Sequence, residues 1–291
     1  MSVSHSHHHH GHGHGHDHSH NEENNRSHWD QNAASYNTRF SKTIDQIILE
    51  IQSRTDWINV EWSESPPSSP ENASTTDTSQ DLEPKRSVRL LDYACGTGLV
   101  SRALAPLITQ SIGIDLSSGM AEQYNIVMSN QGIPPSQMRA VVGNLLSPSD
   151  PSPATLSDPE FFDFDIAAVG LGFHHFSDPG FAAKQLVARL KVGGVLFIVD
   201  FLPHKPIAAT MTAEDERENK SEDKGEQTSN AAHTVTHNGF SQDDVKKMFE
   251  EAGAGKAFEY LEIGSGIVFH GVKEGGGSMK RSVFFARGEK V

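Results

Sequence analysis

The stretch Val88-Arg-Leu-Leu-Asp-Tyr-Ala-Cys-Gly-Thr-Gly98 constrains this chain most. Val88 to Ala94 reads as a buried strand, and Leu99 to Ile108 as a helical run. Between them, small residues let the backbone turn tightly and approach a ligand. The same grammar repeats downstream. Ser111-Ile-Gly-Ile-Asp115 is a second short strand, and a helix follows from Ser118 to Asn130 with Met120, Tyr124, Val127 and Met128 on its apolar side. Met138 to Val142 and Phe162 to Val169 give two further strands. Asp178-Pro179 caps and opens a helix to Lys191, which Gly193-Gly194 stops. Val195 to Val199 is continuously apolar, as a parallel strand buried on both faces must be. Strands alternating with helices predict an α/β fold, a doubly wound, mostly parallel seven-stranded sheet with helices on both faces.

The flanks read differently. Ten of the 17 histidines fall between His5 and His20 in a Ser/Gly/His/Asp series with nothing to bury, so residues 1–28 are expected to be a disordered tail. Its run His7, His8, His9 and His10 is the candidate metal site, a loose one for zinc, nickel or copper. Phe40, Ile44, Ile47, Ile48 and Ile51 share one helical face, which makes 29–62 a helical cap. Ser/Pro-rich 63–86 reads as a flexible insertion and polar 203–236 as a mobile excursion within a domain spanning 87–291. In the late helix Ser241 serves as N-cap with Asp244 at N3, Phe240 staples onto Val245, and Gly253 ends it. Strand-like segments from Ala257 to Ile263, or in a second reading on to His270, and from Ser282 to Arg287 close the chain.

Charge and cysteine content exclude several classes. With 24 basic against 38 acidic side chains the net charge is −14, so neither nucleic acid nor an anionic membrane is expected as partner. No apolar run approaches the roughly 20 residues of a membrane helix. The single cysteine, Cys95, rules out an internal disulfide or a thiolate zinc site. A cytoplasmic chain, also nuclear in a second reading, is the expectation.

Two acids sharpen the glycine loop. Asp92 ends the first strand, where a carboxylate can meet a cationic amino group or simply cap the next helix. Asp115 ends the second, where a carboxylate can accept both hydroxyls of a ribose. A dinucleotide site shares Asp115 but has no use for an acid at Asp92 facing pyrophosphate. An amino-acid nucleoside without phosphates suits both.

With these motifs the chain resembles the class I S-adenosylmethionine-dependent methyltransferases, particularly the group similar to the ubiquinone/menaquinone biosynthesis enzymes. The resemblance covers Trp29 to Tyr36, Val88 to Asp200 and His237 to Gly253. It implies a Rossmann-like sheet and S-adenosyl-L-methionine as cofactor. Leu-Asp92-Tyr-Ala-Cys-Gly-Thr-Gly98 is similar to the first family motif, with Ala94 where the first glycine often stands. Ile-Gly-Ile-Asp115-Leu-Ser-Ser-Gly-Met120 is similar to the second. Gly143-Asn144-Leu145 stands where a side chain meets the adenine amino group. The implied cofactor-binding residues are Tyr36, Asp92, Ala94, Gly96, Gly98, Asp115, Leu116, Met120, Asn144, Leu145 and Gly170.

Methyl transfer from a sulfonium needs alignment, exclusion of water and, for a phenol, enol or amine, a base. Gly170-Leu-Gly-Phe-His174-His175-Phe176 follows the fourth strand, at the edge where open α/β sheets bind ligands. His174, His175 and His237 are the candidate bases. A small-molecule methyl acceptor is the first expectation, since the cap would enclose a small pocket. A regulatory or protein-modifying subunit of a protein complex is the alternative, and a nicotinamide-dependent oxidoreductase the weaker one.

Overall fold

A computed structural model of the chain describes residues 15–63, 86–205, 231–269 and 278–291. His7 to His10, most of the Ser/Pro-rich insertion and most of the late excursion lie outside the described residues.

Seven strands form one sheet: β1 (Arg89–Tyr93), β2 (Gln110–Asp115), β3 (Met138–Val142), β4 (Phe164–Gly170), β5 (Leu190–Phe201), β6 (Lys256–Phe269) and β7 (Met279–Glu289). Their spatial order is β3-β2-β1-β4-β5-β7-β6, with β7 antiparallel to both neighbours and the rest parallel. The order reverses between β1 and β4. A crevice opens there at the carboxyl ends of the strands, the place such sheets hold ligands. The expected doubly wound, mostly parallel seven-stranded sheet is what the chain forms.

Alternation along each strand divides the core between two faces. Leu90, Ile166, Val195, Phe197 and Phe285 point to one side, where α1 (Gly15–Gln52), α3 (Leu99–Leu104) and α4 (Ser118–Asn130) lie. Leu91, Ile112, Ala167, Leu196 and Phe284 point to the other, against α5 (Pro179–Arg189) and α6 (Gln242–Ala252). Burial on both sides explains the unbroken apolar runs of β4 and β5. A single turn, α2 (Thr55–Ile58), follows α1.

Local chemistry sets most boundaries. Asp178 caps α5 by accepting the Phe181 N–H, with proline at the first turn. Ser241 and Asp244 form the expected reciprocal capping box on α6, and Gly253 ends it in the left-handed conformation. Three expectations change. Helix extends ahead of Trp29, where ordered sequence was expected to start, because α1 runs as one helix from Gly15 through the end of the histidine series. Asn21 ties this part of α1 to His175 and Ser177 in the loop after β4. Gly193-Gly194 does not stop α5: the helix ends at Arg189 and β5 starts at Leu190, with the glycines inside it. β6 takes the longer of its two expected extents, β7 is longer than expected, and the two pair antiparallel. Among the described residues no helix is long and apolar enough to cross a membrane.

Candidate functional site

A chamber of about 410 Å³ lies at the switch point, floored by the loops after β1, β2, β3 and β4 and roofed by α1. That size suits one compact ligand.

The floor follows from backbone chemistry. The loop after β1 holds Ala94 and Gly96 at φ 51° each, so the backbone doubles back before α3. Alanine pays for this conformation in strain, glycine does not. The amide of Gly96 donates to Asp115 Oδ2 at 2.8 Å, and the amide of Ser117 to Asp115 Oδ1 at 2.9 Å. Each carboxylate oxygen therefore keeps lone-pair capacity for a donor arriving in the chamber. Burial, opposed by these amides, pushes the Asp115 carboxyl up to about 6. Tyr93 braces the loop after β3: its hydroxyl accepts from the Leu145 amide at 3.1 Å and approaches Asn144 Oδ1 at 3.4 Å.

The roof is made by side chains far away in sequence. Asn21 Nδ2 donates to the His175 carbonyl at 3.2 Å and to Ser177 Oγ at 3.0 Å. Asp30 Oδ1 accepts the Gly119 amide at 2.9 Å and the Ser117 hydroxyl at 2.6 Å, so a residue of α1 caps α4. The Thr97 hydroxyl donates to Asn37 Oδ1 at 2.7 Å. Trp29 sets its ring edge-on to Tyr36 and His175, with centroids 5.9 and 5.5 Å apart. His28 packs beside Trp29 and His233, and burial brings its pKa down to about 4.

At the carboxyl end of β4 two histidines meet, with ring centroids 4.1 Å apart. His174 Nδ1 faces Asp200 Oδ1 at 2.8 Å, while its own amide donates to Asp200 Oδ2 at 3.1 Å. His175 Nδ1 faces the Thr234 carbonyl at 2.9 Å. Each partner is an acceptor, which puts a proton on Nδ1 of both rings; on neutral His175 this leaves Nε2 with its lone pair. Burial, then the neighbouring His174, lowers the His175 pKa well below the usual histidine value.

Of the residues singled out in the sequence, Tyr36, Ala94, Gly96, Asp115, Leu116, Met120, Asn144, Gly170 and His175 line the chamber. Asp92 does not. Its Oδ2 accepts the Ser101 amide at 3.0 Å and hydroxyl at 2.7 Å, so it serves the start of α3, and burial raises its pKa to about 7. Gly98 is also structural: a Cβ there would sit 2.7 Å from Met128 Cε and 2.9 Å from the Tyr124 ring, so it admits α4. Leu145 is a core residue behind Asn144. His174 stands behind His175, turned to Asp200. His237 gives its amide to the His174 carbonyl at 3.1 Å, and its ring lies near Phe240, away from the chamber. Among the described residues no group of three or more His, Cys, Asp or Glu could hold a metal. The sequence reading missed Asn21, Asp30, Tyr93 and Asp200. Asp30 had a visible signal, its place beside Trp29 in the cap segment; Asn21 lay within the segment read as disordered.

The methyltransferase domain family matches residues 69–255, more than half of the chain. An uncharacterized methyltransferase of Schizosaccharomyces pombe is 33% identical over 118 residues, 40% of this chain and 40% of that protein. The uncharacterized methyltransferase YcgJ of Bacillus subtilis is 27% identical over 120 residues, 41% of this chain and 43% of that protein. The chain thus spans well under half the length of these relatives. Among solved structures, a Haloferax volcanii complex of the Trm112 methyltransferase activator with a methyltransferase superposes with a TM-score of 0.53. That match is 14% identical and covers 91% of this chain and 96% of the other, a likeness of fold.

Proposed function

The chain belongs to the methyltransferase domain family, and we propose that its chamber holds S-adenosyl-L-methionine and passes the methyl group to a small-molecule acceptor. The observation that carries the reading is Asp115: a buried carboxylate at a strand end, each oxygen fixed by one amide and each able to accept one ribose hydroxyl. The other wall residues suit the same ligand. Leu116 and Met120 offer apolar contact to a base, and Asn144 stands beside them with its Oδ1 held by the Leu146 amide at 2.8 Å and the Tyr93 hydroxyl at 3.4 Å.

When bound, the cofactor supplies an electrophilic methyl on a sulfonium sulfur. The chain's own residues orient, exclude water and handle a proton. Trp29, Tyr36 and Asn25 roof the chamber, and α1 must be in place for it to be closed. His175 Nε2 is the group positioned to accept a hydrogen bond from an acceptor hydroxyl. Because His175 is held neutral by burial, it is a weak base, matched to a proton that becomes acidic as the O–C bond forms. His174 and Asp200 support it from behind.

A second reading, a subunit working with a protein partner, is favoured by the Haloferax volcanii methyltransferase in its complex with Trm112. Co-purification of a stoichiometric partner would distinguish it.

Calorimetric titration of the full chain with S-adenosylhomocysteine tests the cofactor. Asp115→Ala is expected to weaken binding by about 1.5–3 kcal/mol, the range for hydrogen bonds to a charged group. Equal affinity in the variant removes Asp115 from the site.

A further inference from the structure

Asn144 has already spent the oxygen that an adenine amino group would want. Its Oδ1 accepts the Leu146 amide at 2.8 Å and the Tyr93 hydroxyl at 3.4 Å, which occupies both lone pairs. A backbone N–H can point only at the oxygen of an amide side chain, so Asn144 has N–H donors alone to offer a ligand. A base whose amino group lies in the chamber needs its acceptor from another element.

The helix above supplies one. Asn21, Glu22, Asn25, Arg26 and Trp29 fall at i, i+1, i+4, i+5 and i+8 of α1, and all five line the chamber. Asn21 pins this face through the His175 carbonyl and Ser177 Oγ. Among the described residues the half-buried Glu22 enters no hydrogen bond and no ion pair. Arg26 holds the i+4 position where a helix offers a glutamate its partner, but it is turned to Glu23 at 2.6 Å. The other acids of the lining are engaged. Asp178 takes the Phe181 amide, and Asp115 takes the amides of Gly96 and Ser117 and, in the reading above, the ribose.

Tyr93 ties Glu22 to the loop after β3. Burial raises the Tyr93 pKa, the Leu145 amide opposes this, and the charges of Asp115 and then Glu22 add to it. The Tyr93 hydroxyl that feels the Glu22 charge is the one bound to Asn144 and Leu145. Leu146, Pro148 and Phe176 line the same chamber, with the Phe176 ring 5.7 Å from that of Tyr93, and give the apolar surface a flat base needs.

We infer that the Glu22 carboxylate accepts the exocyclic amino group of the cofactor's adenine, holding the base between α1 and the loop after β3, where Asn144 donates to a ring nitrogen. Adenine sets an amino donor beside ring-nitrogen acceptors, so a carboxylate and an amide N–H read it together. A 6-oxopurine replaces the amino donor by an acceptor and is refused, because it turns an oxygen to the carboxylate. The inference rests on the S-adenosyl-L-methionine reading above and adds the residue that selects the base.

Calorimetric titration of the full chain with S-adenosylhomocysteine and with S-inosylhomocysteine, its 6-oxo counterpart, tests it. Wild type is expected to bind the adenine compound about ten times more tightly or better, as the loss of a hydrogen bond to a charged group requires. Glu22→Ala should remove most of that preference by weakening the adenine compound. Glu22→Gln, whose amide can turn its N–H toward a 6-oxo group, should bind the inosine compound more tightly than wild type does. Glu23→Ala, one position on but turned to Arg26, should keep the wild-type preference. Equal affinities in wild type, an undiminished preference in Glu22→Ala, or the same loss in Glu23→Ala would overturn the assignment. Failure of both compounds to bind wild type strikes the cofactor reading and the inference with it, whereas binding without preference strikes Glu22 alone.

Discussion

The floor and the roof of the chamber are built by opposite means. On the floor, Gly96 reaches Asp115 and Ser117 reaches Asp115 through backbone amides, from loops whose course the sheet dictates. On the roof, Asn21, Asp30 and Asn37 reach side chains or caps 60 or more positions away, from a helix whose buried isoleucines, Ile44, Ile47 and Ile51, lie further along. A floor of this kind is fixed once the strands pair. A roof of this kind depends on a few polar contacts and is the part able to open for ligand exchange.

Removing one roof contact should therefore affect stability and ligand release together. Asp30→Ala takes from α4 a cap supplied by α1, and about 0.5–2 kcal/mol of stability should be lost. The off-rate of S-adenosylhomocysteine, followed by stopped-flow fluorescence of Trp29, should rise. An unchanged off-rate with lowered stability would make Asp30 a cap alone, and the roof would owe its position to something else.

Acid sharpens the contrast, because the two regions respond with opposite sign. Asp115 on the floor is raised by burial to about 6, so its contribution to stability is present below about pH 4 and is lost as pH rises through about 6. His28 on the roof is lowered by burial to about 4, so its contribution is present above about pH 6.5 and is lost as pH falls through about 4. Urea midpoints between pH 4 and 7 can separate them. Relative to wild type, Asp115→Asn should gain stability as pH rises and His28→Gln should lose it. Parallel profiles for all three proteins would mean that neither group titrates as its burial requires. Affinity for S-adenosylhomocysteine should also rise across the range around pH 6, as Asp115 ionises to accept the hydroxyls.

The smallest effect belongs to Ala94, which with Leu171 is one of two left-handed non-glycine residues on the floor. Ala94→Gly relieves a left-handed alanine but adds freedom to the unfolded chain. The net change in stability should stay within about 1 kcal/mol. A larger loss would mean that the Ala94 methyl, against which Gly172 packs, matters more than the backbone.

The same division explains what the sequence disclosed. Strand runs such as Val195 to Val199 and the Asp178-Pro179 and Ser241 caps all act within a few residues, and each could be read directly. Asp92 misled because a strand-end acid before a glycine loop looks alike whether it faces the chamber or the Ser101 amide. Only the side-chain direction separates the two. Gly98 misled for a similar reason, as a loop glycine whose missing Cβ makes room for α4 and not for a ligand. The extension of α1 back to Gly15 was hidden because local composition argues for disorder, while the contacts that hold it come from His175, Ser177 and the start of α4. Asp200 could not be paired with His174 from sequence, since 26 positions and a whole helix separate them.

The central claim is that the chamber beneath α1 takes a sulfur-bearing adenosine nucleoside. Thermal unfolding of the dialysed full chain with S-adenosylmethionine, S-adenosylhomocysteine or NADH tests it most directly. At 100 times its dissociation constant a ligand adds about 2.7 kcal/mol, which for a folded core of this size raises Tm by roughly 5–11 °C. The account predicts that rise with both sulfur nucleosides and none with NADH. No rise with either nucleoside, or an equal rise with NADH, would contradict it.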